Sequence, residues 1–104
     1  MTYEFVFDER LGIELPRLHE DWAALTEAER AALLHDWEQI RGRIPDRIMQ
    51  LERTIIQKQN QLNTEDDFPR SCRLNTEIAE IASCITDLHL WFRADQDVSV
   101  KGHY

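Results

Sequence analysis

Apolar residues in the second half of the chain pair off in reverse order about Phe68. Leu62 pairs with Leu74, Ile55 with Ile81, Leu51 with Ile85, Ile48 with Leu88 and Ile44 with Phe92, and in each pair the two residue numbers add to 136. A helix climbs 1.5 Å per residue, so two helices folded back on each other at 64–69 bring every such pair to a common level. The pattern predicts an antiparallel helical hairpin with arms at 45–63 and 69–96. On the second arm Leu74, Ile78, Ile81, Ile85, Leu88 and Phe92 alternate steps of four and three, the heptad seam of an antiparallel coiled coil. Its partner is less regular: Lys58 falls where an apolar residue would face Ile78, and its methylene stem can pack there while the ammonium reaches water.

The first half is read differently. Residues 1–15 are extended or a β-hairpin, because Tyr3, Phe5 and Phe7 recur at strand period, Gly12 can close a turn and Ile13, Glu14 and Leu15 can return. Pro16 is read as a helix start, with Leu18, Trp22 and Leu25 following at helical steps, so 16–44 is expected to be helical. Thr26 and Glu29 form a capping box for a helix carrying Leu33, Trp37 and Ile40 on one stripe. Gly42 and Pro45 then interrupt it, as a break or as a kink. The tail 98–104 is expected to be flexible. The fold class expected is all-α or nearly so: a single small helical bundle over 1–97, built on the helical hairpin and preceded by a short extended or β-hairpin N-terminus.

Composition narrows the function classes. Three glycines in 104 residues leave no Gly-rich phosphate loop. The net charge of −8 disfavours non-specific binding to nucleic acid or anionic membranes, since such affinity rests on neutralising phosphate charge. Residues 1–39 hold ten acids against three arginines, whereas 40–58 hold five basic residues against two acids. The N-terminus lacks a basic and apolar leader, and no apolar run is long enough to span a membrane. Cys72 and Cys84 on one helix would stand about 18 Å apart, beyond disulfide reach. Free thiols without a leader point to the cytoplasm.

Candidate chemistry is sparse. His19, Asp21, His35, Cys84 and His89 supply metal-ligand types without metal-ligand spacing, so no metal site and no cofactor is expected. No nucleophile lies in an elbow or triad context, which leans against an enzyme. Arg43 and Arg47, four apart, could meet an anion or an acidic partner, or could pair with the chain's own acids. Met49 and Ile56 on one arm, and Ala79, Ala82, Leu90 and Trp91 on the other, lie off the seam and form a possible interaction surface. The reading that follows is a small cytoplasmic interaction or regulatory module working through helix–helix contacts, as a homodimer, with no membrane or nucleic-acid partner. The alternative is a small-ligand or metal-binding protein, or a minor enzyme, with its site at the helix break Gly42–Pro45. An acidic mimic that blocks a nucleic-acid-binding protein is a weaker third reading.

Overall fold

The computed structural model describes residues 2–101, with side chains described for 2–94. It is mostly helical. Strand β1 (Tyr3–Asp8) and strand β2 (Ile13–Leu18) form an antiparallel pair, a 3-10 turn follows at Trp22–Ala24, and helices α1 (Glu27–Arg41), α2 (Ile44–Asn63) and α3 (Phe68–Lys101) complete the chain.

The N-terminal hairpin is longer than its sequence suggests. Strand β2 runs through Pro16 to Leu18, which corrects the expectation of a helix beginning at Pro16. The ladder explains why a strand tolerates that proline. Phe5 faces Pro16 and Thr2 accepts from the His19 N–H at 2.9 Å. Bonded and non-bonded rungs alternate in an antiparallel pair, so the Phe5–Pro16 rung is non-bonded and residue 16 needs no N–H inside the sheet. The helical steps from Leu18 to Leu25 reduce to the single 3-10 turn, held by Arg30, whose guanidinium donates to the Trp22 and Ala23 carbonyls at 3.0 and 2.9 Å.

Helix α1 opens as its sequence indicates. Thr26 Oγ1 accepts from the Glu29 N–H at 3.1 Å and the Glu29 carboxylate accepts from the Thr26 N–H at 2.8 Å. At the interruption, Gly42 and Arg43 keep right-handed helical angles, but Arg43 donates to Ile40, three residues back rather than four. The result is a tight bend between two helices. Pro45 sits in the first turn of α2, where a missing N–H costs nothing. Ile44 enters the helix despite preceding a proline, and its side chain is fully buried.

Helices α2 and α3 make the expected hairpin, closed by residues 64–67. Ile44, Ile48, Leu51, Leu74 and Leu88 of the seam are buried, and Ile81, Ile85 and Phe92 pack against the same core. Lys58 does not merely snorkel: its Nζ lies 2.7 Å from the Glu77 carboxylate and ties the arms together at that level. Helix α3 begins at Phe68 and reaches Lys101, past the end expected near Gln96; of the tail assigned to 98–104, residues 102–104 lie outside the described residues. The molecule is elongated, with extents of 59 × 23 × 22 Å.

What joins the two halves is the β-turn. Leu11 is a turn residue, yet it is buried in the core with Ile13, Trp37, Ile40 and the seam. Asp8 shapes the turn, its carboxylate accepting from the Leu11 N–H and its carbonyl from the Gly12 N–H. Arg47 Nε of α2 donates to the Leu11 carbonyl at 2.9 Å. Arg10 reaches α3, bonding Asp87 at 2.7 Å and Ser83 at 3.0 Å, and the buried Cys84 thiol lies 3.7 Å from the Arg10 carbonyl.

Candidate interaction surfaces

The turn seats on one side of the α2–α3 seam, against Arg47 of α2 and Ser83, Cys84 and Asp87 of α3. Stepping 100° per residue from these positions places Met49, Ile56, Ala79 and Ala82 on the other side of the seam, which no further element covers among the described residues. Met49 is 49% exposed and Ile56 56%, while Ala79 and Ala82 are exposed. The Lys58–Glu77 pair fixes the level, so that Ile56 stands beside the stretch 79–82. With Leu90, about 20° around the α3 axis from Ala79, five of the six residues singled out from the sequence share one face. Leu90 is 56% exposed. Trp91 belongs elsewhere: it is half-buried on the β-hairpin side, its ring 5.6 Å from that of Trp37 in an edge-on contact.

The two arginines at the helix bend are engaged by the chain itself. Arg43 pairs with Glu14 at 2.9 Å, and Arg47 bonds the Leu11 carbonyl and, at 3.4 Å, Gln50. They line a concavity of about 240 Å³ with Gly12, Ile13, Asp46 and Gln50. Gly12 is required there, since its φ is +76° and a Cβ would stand 2.5 Å from Arg47 Nε. Guanidinium groups fixed on the chain's own oxygens hold the β-turn in place. Among the described residues no three His, Cys, Asp or Glu side chains converge in a way that could hold a metal ion. Cys72 is exposed and Cys84 buried, both as free thiols.

Two carboxylates sit below their ordinary range. Glu77 is lowered by the hydrogen bond and charge of Lys58, and Glu29 by hydrogen bonds from the Thr2 hydroxyl and from Thr26. The Tyr3 hydroxyl is pushed up, first by burial and then by Asp36 on α1. All three shifts report tethers between elements.

A second surface escaped the sequence reading. An apolar concavity of about 260 Å³ lies between β2, α1 and α3, walled by Pro16, Leu18, Trp22, Trp37 and Trp91. A neighbouring one of about 250 Å³ shares Pro16 and Trp91 and continues to Val6 and Phe7. Val6 is 40% exposed and Phe7 56%. The alternation at Tyr3, Phe5 and Phe7 was the available signal; once Pro16 is placed in a strand, the hairpin covers the tryptophans with β2 and leaves β1 outermost. No helix among those described is long and apolar enough to cross a membrane. Comparison with known proteins gives no match: no family model, no curated protein and no solved structure is similar to the chain.

Proposed function

We propose that the chain is a small interaction module that acts through helix–helix contact in the cytoplasm, with the face carrying Met49, Ile56, Ala79 and Ala82 receiving the same face of a second copy. The observation that carries this reading is the half-exposure of Met49 and Ile56 opposite the side where the β-turn docks. A helical hairpin uses one stripe per helix for its own seam, and a second apolar stripe on a helix serves a further neighbour. Ala79 and Ala82 are small, so another helix can approach closely beside Ile56. A two-fold contact between two such hairpins completes a four-helix bundle. The net charge of −8 opposes this contact only at short range, because exposed charges are screened beyond about 8 Å at physiological salt.

Light scattering on the purified full chain tests the proposal. Ile56→Glu places a carboxylate at the centre of the contact and should halve the mass of the assembly, and Leu90→Glu, farther along the same stripe of α3, should weaken it as well. A mass unaltered by Ile56→Glu overturns the helix-face contact.

A further inference from the structure

The β-hairpin presents two outer edges of unequal character. Bonded rungs fall at Thr2–His19, Glu4–Arg17, Val6–Leu15 and Asp8–Ile13, which turns the N–H and C=O groups of Tyr3, Phe5 and Phe7 outward on β1. Among the described residues none of these six groups has a hydrogen-bond partner. The corresponding outward positions on β2 are Glu14, Pro16 and Leu18, and Pro16 has no N–H to offer. Strand β2 is also the one that lies against α1, so β1 is the outer strand. Edges are ordinarily protected by proline, lysine, a bulge or a covering element; β2 carries such a device and β1 carries none.

We propose that β1 is a docking edge for β1 of a second copy, which goes beyond the helix-face contact and does not rest on it. An antiparallel register centred on Phe5 sets Tyr3 against Phe7 of the partner, Phe5 against Phe5, and Glu4 against Val6. The three outward N–H and three outward C=O groups of each strand are then all matched, and no acid lies directly opposite another acid, an arrangement that would destabilise the pairing. The exposed Val6 and Phe7 side chains gain cross-strand neighbours. The product is a four-stranded sheet, β2–β1–β1–β2, whose two outer edges both carry Pro16. The proline stops further addition, so the contact closes at two copies instead of running on into a fibre.

The test uses two prolines on a single rung. Phe7→Pro removes an outward N–H from β1, and Glu14→Pro removes one from β2 directly across the ladder. Phe7→Pro should halve the mass of the full-length assembly by light scattering, and Glu14→Pro should leave it unchanged, both with the parental helical circular dichroism. In the parent, the Tyr3, Phe5 and Phe7 amides should exchange with solvent slowly at high protein concentration and faster on dilution. Equal masses for the parent and Phe7→Pro overturn the proposal. So do equal losses from both prolines, which would make hairpin integrity the cause, and fast exchange of the three amides at every concentration. Because Ile56→Glu and Phe7→Pro touch different faces, failure of one contact is read separately from failure of the other.

Discussion

Gly12 and Arg47 form the joint on which the two halves of the molecule meet. A left-handed backbone costs a residue with a Cβ about 1–2 kcal/mol, and here the added carbon would also displace the guanidinium that bonds the Leu11 carbonyl. Gly12→Ala should therefore destabilise the protein by about 2 kcal/mol or more, measured by urea unfolding. In an Arg47→Ala background the same substitution should cost less, because the clash is gone while the backbone strain remains; equal costs in both backgrounds would separate the two residues. The lowered carboxylates give a pH dependence. Glu29 and Glu77 ordinarily titrate near 4.5 and titrate lower in the folded chain, so the unfolded state takes up protons first as the pH falls. Their stabilisation is fully present above the ordinary value and is lost as the pH drops through the lower, folded values. The urea midpoint should be level above about pH 6 and decline below about pH 4.5. Glu77→Gln should lower it at neutral pH and flatten part of that decline.

Among the elements, the α2–α3 hairpin is the part most open to calculation from the sequence. Leu88 is fully buried at the seam, so Leu88→Ala should cost about 2–5 kcal/mol, a large share of the roughly 5–15 kcal/mol that holds a domain of this size together. Cysteines at Ile55 and Ile81, in a chain lacking Cys72 and Cys84, should link within one chain through a short bifunctional reagent; absence of the link would refute the register. The helix α1 cap was equally legible, since a threonine and a glutamate three apart before an apolar stripe need only local geometry, and Thr26→Ala should cost about 1 kcal/mol. Strand β2 was not legible. Leu15, Leu18, Trp22 and Leu25 fit helical steps, and Pro16 fits a helix start as well as the non-bonded rung of a ladder. The choice between them was made by pairing with β1, a partner ten or so residues away that no local propensity reveals.

At the scale of the whole molecule, a 59 Å rod leaves much of its surface outside any core. Among the described residues, the exposed apolar side chains include Met49 and Ile56 on the α2–α3 face and Val6 and Phe7 on the outer strand. The two pairs lie on different faces, and each is proposed to meet its own counterpart on another copy. Two different two-fold contacts on one chain join copies alternately and close at four when their axes are perpendicular, and Ile56→Glu combined with Phe7→Pro should return the protein to its 12.4 kDa chain mass. The sequence by itself determined the helical hairpin and the α1 cap, because these follow from periodicity and contacts within a turn or across one short loop. Only the tertiary structure decided that Leu11 is core, that Arg43 and Arg47 serve the chain's own oxygens, that Trp91 packs on Trp37, and that β1 is the uncovered edge. Each of those depends on where a distant segment comes to rest, and the free energy that selects its place is shared among many residues instead of being written in any one of them.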